Sequence, residues 1–186
     1  MIKPPICLET ERLRIRRYTM DDLEPLCSFL KDDEATRMLA FAPEEKTLEA
    51  AKTWLEGVVD SYEHKRPDFV LVIEEAKEGR YIGSAGLSLL RHEPGVQLFY
   101  IILPGYQNRG HATEAVTGLI DYSFNELDQK RIVAFIDTDN EASIAVAAKL
   151  GMIAKDEVEL KGRKGQRFVL ERPDCQRQLM TVSRKQ

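Results

Sequence analysis

Three consecutive runs in the second half of the chain constrain its architecture more than any other feature. Val96 to Leu103 is almost wholly apolar and aromatic, as a buried strand reads. Ala112, Ala115, Val116, Leu119 and Ile120 then recur at helical spacing, in a helix expected to run to about Phe124. Arg131 to Ile136 is a second short apolar strand. Strand, helix and strand in this order need a crossover, and a crossover joins parallel strands. Between the first two runs lies Gln107-Asn108-Arg109-Gly110-His111-Ala112, reached through the turn Pro104-Gly105. A helix starting there leaves its first N–H groups unpaired, which favours an anion and suits phosphate best. Gly110 and Ala112 keep side chains out of the approach and Arg109 adds a positive charge.

The rest of the chain supplies the partners for that unit. Leu13 and Ile15 alternate with Arg12, Arg14 and Arg16, so Leu8 to Arg17 reads as a half-buried strand. Thr19 and Asp22 form a capping-box pattern ahead of Leu23, Leu26, Phe29 and Leu30. Asp32 to Phe41 is ambiguous, with a short helix containing Met38 and Leu39 as one reading. From Thr47 a longer helix carries Ala51, Trp54, Leu55, Val58, Val59 and Tyr62 on one stripe. Phe69 to Glu74 and Tyr81 to Leu90 read as strands separated by the turn Lys77–Arg80. Asn140 can cap a helix over Ala142 to Leu150, which Gly151 ends. Ile153 to Leu160 and Gln166 to Leu170 form a closing hairpin across Gly162–Gly165. The expectation is an α/β fold with a mixed, twisted central sheet of about seven strands and helices on both faces. Residues 1–172 are read as a single domain and 173–186 as a polar C-terminal tail.

Composition removes several classes. With 27 Lys and Arg against 31 Asp and Glu, the net charge is −4, which does not favour a nucleic-acid partner. The longest unbroken apolar run, Leu98 to Leu103, is far too short to cross a bilayer, and no signal-peptide core follows the N-terminus. A cytoplasmic chain without a membrane partner is expected. Cys7, Cys27 and Cys175 are scattered and form no CxxC pair, so neither a metal site nor a disulfide framework is expected.

Two phosphate loops are testable directly. The G-x-G-x-x-G fingerprint is absent from every strand-to-helix junction. Gly105 and Gly110 have the glycine spacing of G-x-x-x-x-G-K-[ST], but His111 and Ala112 stand where the phosphate-binding Lys and the Mg²⁺-binding hydroxyl belong. Nucleotide hydrolysis therefore lacks its clamp. The stretch Pro-Gly-Tyr-Gln107-Asn-Arg-Gly110-His-Ala112-Thr-Glu-Ala instead resembles the acyl-CoA loop, Q/R-x-x-G-x-G/A, of the GNAT superfamily of N-acetyltransferases. Asn140-Glu-Ala-Ser143 with Lys149-Leu-Gly151-Met152 resembles that family's N-x-x-S/A…K-x-G-F segment, with Met152 in place of Phe. Leu8-Glu9-Thr10-Glu11-Arg12-Leu13-Arg14-Ile15-Arg16 is similar to the L-x-T-E-R-L-x-L-R opening of the branch that contains the ribosomal-protein N-terminal (alanine/serine) acetyltransferases. The resemblance spans residues 8–172 in matching element order.

The resemblance implies acetyl-CoA as cosubstrate, with no metal. Its pyrophosphate would lie on the N–H groups of the loop, here Arg109, Gly110, His111, Ala112 and Thr113, with Gln107 and Asn108 counted among the cofactor-binding residues. Its pantetheine would pair with Ile101, Ile102 and Leu103, where the fourth strand splays from the fifth, and would meet Asn140 and Ser143. The family's chemistry is direct attack by a neutral amine on the thioester. The chain departs from the pattern twice. Gln97 stands where a Glu base is frequent, and Ala147 stands where a Tyr acid is common. Ser143 matches the residue that protonates the thiolate in the ribosomal-protein branch, so Ser143 and Gln97 are the catalytic candidates.

The missing carboxylate bears on the acceptor. Deprotonating a lysine side chain at pH 7 costs about 4–5 kcal/mol, and an α-amine only about 1–1.4 kcal/mol. A site without a strong base therefore suits a protein or peptide N-terminus, such as that of a ribosomal protein, with water relayed through Gln97 taking the proton. A small-molecule amine acceptor, or a CoA-binding sensor without catalysis, are the alternatives. A monomer or homodimer is expected. His111 is expected to matter through its backbone with its imidazole in solvent, and His64 and His92 to be surface residues. Trp54 and Tyr62 are read as core packing rather than an acceptor groove. Glu44, Glu45 and Glu49 could attract a cation or simply solvate a helix start. Strand alternation does not decide which face Tyr100 takes.

Overall fold

A computed structural model describes residues 1–37, 39, 41–64, 68–160 and 162–173. One open, mixed sheet runs through it in the order β1-β2-β3-β4-β5-β6-β8-β7. The strands are β1 (Cys7–Glu9), β2 (Leu13–Arg16), β3 (Asp68–Glu75), β4 (Tyr81–Leu89), β5 (Val96–Ile102), β6 (Arg131–Asp137), β7 (Ile153–Leu160) and β8 (Arg163–Glu171). Every neighbouring pair is antiparallel except β5 and β6, the pair joined by the crossover helix.

There are eight strands where about seven were expected, because Leu8 to Arg17 is a hairpin and not one strand. The Thr10 N–H donates to the Leu13 carbonyl at 2.9 Å and the Thr10 hydroxyl accepts from the Leu13 N–H at 3.1 Å, which reverses the chain over three residues. Cys7–Glu9 then pairs back onto Arg14–Arg16. The alternation of Leu13 and Ile15 with arginines belongs to β2 alone. In the closing hairpin, β8 already begins at Arg163, so residues 163–165 are strand and not turn. The polar tail lies outside the described residues from position 174 onward.

Helices cover both faces. On one lie α1 (Leu23–Lys31), the short α2 (Asp33–Thr36) and α3 (Leu48–Ser61); on the other lie α4 (His111–Asn125) and α5 (Glu141–Lys149). The pleat of β3 sorts the two cores: Phe69, Leu71 and Ile73 join the α4 side, while Val70 and Val72 join the α1–α3 side. Polar caps fix where the helices start. Thr47 Oγ1 accepts from the Ala50 N–H at 3.2 Å, and Asn140 Oδ1 accepts from the Ser143 N–H at 3.1 Å. The ambiguous Asp32–Phe41 stretch holds only the four-residue α2, capped by Asp32 at Ala35. Met38, expected in that helix, lies outside the described residues.

The parallel pair is brief. Only Val96↔Ile132 and Gln97↔Val133 are in register; beyond them β5 stays with β4 as far as Ile102, while β6 follows β8. The sheet therefore splays where expected, and one backbone edge of β5 from Leu98 to Ile102 has no strand partner among the described residues.

Candidate active site

The loop after β5 is built to present backbone N–H groups. Leu103 leads into a single tight turn over Pro104–Tyr106, and Gln107 returns to extended backbone. Gln107 Nε2 donates to the Ile102 carbonyl at 2.9 Å, tying the loop to the open end of β5. Asn108 and Gly110 take left-handed conformations, with φ of 59° and 84°, so the chain reverses twice before α4 begins. Asn tolerates that region better than most residues, and Gly does so freely. Gly110 is the N-cap and offers no side-chain cap, which leaves the first-turn N–H groups of His111, Ala112 and Thr113 without an intrahelical partner. Arg109 is exposed, its guanidinium 5.8 Å from the Tyr106 ring centroid. A Cβ added at Gly110 would come within 3.3 Å of Arg12 Nη2, so two arginines flank the approach. Open edge, unpaired N–H groups and flanking cations fit a ligand with an amide-bearing arm and a pyrophosphate.

One expectation about this loop is overturned. His111 is 6 % exposed, and its imidazole does not face solvent. It turns inward, with Nδ1 donating to the Tyr106 carbonyl at 3.2 Å, because a carbonyl can only accept. The side chain thus props the preceding turn from beneath. His64 and His92 are exposed, as expected.

The N-terminal hairpin reaches the same helix. The Thr10 hydroxyl donates to Glu114 Oε1 at 2.6 Å, the Arg12 N–H to Oε1 at 2.7 Å, and Arg12 Nε to Oε2 at 2.7 Å. Arg12 Nη1 also donates to the Arg109 carbonyl at 3.0 Å. Burial would raise the Glu114 carboxyl, but hydrogen bonds from Thr10 and Arg12 hold it below the usual carboxylate range. The Thr10-Glu11-Arg12 block and the loop, far apart in sequence, are one device.

Ser143 sits in the first turn of α5, half-buried, next to Asn140 at the cap. The cap bond commits the carbonyl oxygen of Asn140, leaving its amide NH₂ as the group that can donate to a ligand. Facing Ser143 is a group the sequence did not assign: Tyr100 of β5. Its hydroxyl is buried without a full hydrogen bond. Burial pushes the phenol's pKa up, with a smaller opposing pull from the Ser143 side chain. It therefore keeps its proton through the neutral range. Ala147, where a tyrosine acid is common in the family, is 2 % exposed and packs in the core.

On the opposite face, a cavity of about 330 Å³ lies between α1, α3 and the sheet. Leu26, Phe29, Leu30, Phe41, Trp54 and Phe99 form much of its wall, and Tyr100 and Ile101 close the end next to the open edge of β5. Tyr100 thus borders both the cavity and Ser143. Trp54 is 43 % exposed and lines the cavity, contrary to the reading of it as core packing. Tyr62 is core, donating to the Val70 carbonyl and accepting from the Tyr18 N–H. Of the three glutamates near α3, Glu45 lines the cavity while Glu44 and Glu49 are simply exposed. Gln97 shares a face of β5 with Phe99 and Ile101 but is not part of the cavity wall.

A buried ion network anchors this face. Arg16 donates to both oxygens of Asp22 at 2.8 Å and to Glu74 Oε2 at 2.8 Å. Asp22 and Glu74 are 4 % and 5 % exposed. Burial would raise the Asp22 carboxyl, but Arg16 and the Thr19 N–H hold it below the usual range.

The comparisons agree with this geometry. An acetyltransferase (GNAT) domain model matches residues 12–153. An uncharacterized N-acetyltransferase, p20 of Bacillus licheniformis, is 30 % identical over 162 residues, covering 84 % of this chain and 89 % of the relative. The spermidine N(1)-acetyltransferase of Escherichia coli (strain K12) is 30 % identical over 105 residues, covering 56 % of this chain and 55 % of the relative. Among solved structures, the ribosomal L7/L12 alpha-N-protein acetyltransferase RimL in complex with coenzyme A superposes with a TM-score of 0.76 at 14 % identity, over 89 % of this chain and 97 % of that one. With the family model spanning most of its length, the chain belongs to the GNAT acetyltransferases and is an N-acetyltransferase that uses acetyl-CoA as cosubstrate.

Proposed function

We propose that this N-acetyltransferase acts on the α-amine of a protein or peptide N-terminus. The observation that carries the reading is that, among the described residues, the cavity wall holds a single carboxylate, the exposed Glu45, and Tyr100 and Ile101 have none beside them in β5. The one glutamate among the described lining residues, Glu45, is solvent-exposed and stands on the turn before α3. An amine that reaches Tyr100 must arrive already neutral, and an α-amine does so at about 3 kcal/mol less cost than a lysine side chain at pH 7. Gln97 carries no basic atom; its proposed part is to orient water that takes the proton after attack.

Acetyl-CoA, when bound, supplies an activated acetyl thioester. Gln107, Asn108, Arg109, Gly110, His111, Ala112 and Thr113 are the proposed pyrophosphate cradle, with Arg12 beside them. Ile101, Ile102 and Leu103 offer backbone to the pantetheine arm, as does the amide NH₂ of Asn140. Unpaired backbone N–H groups on the open edge of β5 are suited to polarising the thioester carbonyl. Ser143 Oγ is the proposed donor to the leaving sulfur, and the Tyr100 phenol, protonated beside it, is placed to resupply that proton.

The test is acetyl-CoA-dependent thiol release with peptides and with spermidine across pH 6–9. Turnover on peptide α-amines, rising with pH as the amine deprotonates, is the expected result. Turnover confined to spermidine or lysine side chains would sink it. Coenzyme A binding without thiol release from any amine would favour a sensor instead.

A further inference from the structure

Resting on that reading of the site as one for a primary amine, we infer that the acceptor bears a bulky apolar or aromatic group on the carbon next to its nitrogen. The cavity between α1 and α3 holds that group. Its wall is aliphatic and aromatic over Leu26, Phe29, Leu30, Phe41, Trp54 and Phe99. An engineered cavity of about 150 Å³ already accepts benzene. At about 330 Å³, this one has room for an aryl ring or leucine-sized side chain together with the carbon and nitrogen that follow it.

Among the described lining residues Glu45 carries the one carboxylate, and the remaining side-chain polar groups are neutral. Tyr18 and Ser84 both line the cavity, and their hydroxyls form a closed circuit with Tyr81. Tyr81 OH lies 2.8 Å from Ser84 Oγ and 3.2 Å from Tyr18 OH, and Tyr18 also contacts Ser84. The Tyr18 ring packs edge-on against Trp54 at 5.6 Å, which keeps the indole in the wall. Glu45 is exposed, and one of its carboxylate oxygens accepts from the Ala42 N–H, so a cation it meets stays in contact with solvent. An ammonium carried past Glu45 onto the aliphatic and aromatic part of the wall would be buried there without a carboxylate to pair it. An apolar amine meets the opposite condition: the wall desolvates its nitrogen, which favours the neutral, nucleophilic form. The cavity therefore does part of the work of the missing base, by selecting the uncharged acceptor.

The amine can be a chain terminus that begins with a large apolar residue, or a free arylalkylamine, and the experiment separates these. Thiol release is measured with acetyl-CoA and four acceptors: a Phe-initiated peptide, 2-phenylethylamine, an Ala-initiated peptide and spermidine. The expected kcat/KM for the first or second exceeds those for the last two by about tenfold or more. The Phe peptide winning over 2-phenylethylamine assigns a chain terminus, and the reverse assigns a free amine. Ala50→Phe, which fills the cavity from the half-buried face of α3, should collapse the preference, with a thermal melt confirming the fold. Phe41→Ala, which thins the same wall without adding bulk, should lower it several-fold. Equal or better use of the Ala peptide or spermidine overturns the inference while leaving acetyl transfer intact. If no acceptor releases thiol, the transfer reading fails and the cavity is judged separately. Trp54 is the one tryptophan in the chain, so its fluorescence reports occupancy directly. A saturable change with 2-phenylethylamine and none with spermidine supports the assignment; no change with either overturns it.

Discussion

The proposed cofactor and acceptor sites draw on different parts of the molecule, and they are put together in different ways. The cofactor side is nearly continuous in sequence: β5, the loop through Gly110 and α4 follow one another, with only Asn140–Ser143 and the Thr10–Arg12 turn brought in from elsewhere. The acceptor side is scattered. Its wall takes residues from positions 18 to 101, on α1, α3, the segment around Phe41 and three strands. A contiguous site is specified by spacing and survives drift elsewhere in the chain. A scattered one is specified by packing, so each wall residue can change without leaving a mark in any motif. That is a physical reason for a family to keep one cofactor and change its amines.

Four substitutions test whether the two regions act separately. The largest effect is expected from Ser143→Ala, since positioned proton donors contribute about 10²–10⁴-fold. Its kcat should fall by about that factor in a thiol-release assay, with KM for acetyl-CoA little changed; an unaltered kcat would leave Tyr100 or water as the donor. Arg16→Ala attacks the acceptor face through its ion network. Removing the shared partner of Asp22 and Glu74 should cost about 3–5 kcal/mol in chemical denaturation. The pH dependence has a definite sign. Because Asp22 is held below its unfolded value, its contribution is complete above about pH 4 and is lost as pH falls through the native value. Wild type should thus lose more stability on acidification than Arg16→Ala, and parallel acid curves would show that the network is not what holds this face.

Gly110→Ala is a smaller and more local change. A side chain at a φ of 84° costs about 1–2 kcal/mol, and its Cβ would crowd Arg12. We expect a lower melting temperature and a KM for acetyl-CoA raised about tenfold or more, with the amine KM unaffected. Glu114→Gln should be the mildest. It weakens a partly exposed pair worth about 0–1 kcal/mol, so acetyl-CoA KM should rise a few-fold at most. A large effect on amine KM from either change would mean that the two faces are not separable.

The same contrast explains what could be read in advance. The strand-helix-strand unit and the caps at Thr19 and Asn140 follow from periodicity and short-range hydrogen-bonding chemistry, whereas the splay beside Val96–Leu103 is legible only through the resemblance to the family. The cavity does not, because nothing in the stripe of α3 tells that Trp54 stops at its wall while Leu55 goes to the core. His111 was misjudged for a related reason: its partner is a backbone carbonyl five residues back, in a turn whose geometry no pattern displays. The pairing of Tyr100 with Ser143 depends on how widely β5 and β6 diverge, a property of the folded sheet alone. The split of Leu8–Arg17 could have been noticed, since Thr10 is a turn-forming residue amid a strand pattern.

One contact has a consequence for how the molecule is made. Glu114 is gripped by Thr10 across 104 residues of chain, and Tyr122 of α4 donates to the Lys3 carbonyl across 119. During synthesis the N-terminal hairpin is therefore finished roughly 5 to 20 seconds before the helix it must hold exists, at about 5–20 residues per second. Until then the Thr10–Arg12 turn lacks the carboxylate it holds in the folded chain. A tag fused at Met1 or a nick near residue 10 would be felt, at a distance, in the affinity for coenzyme A.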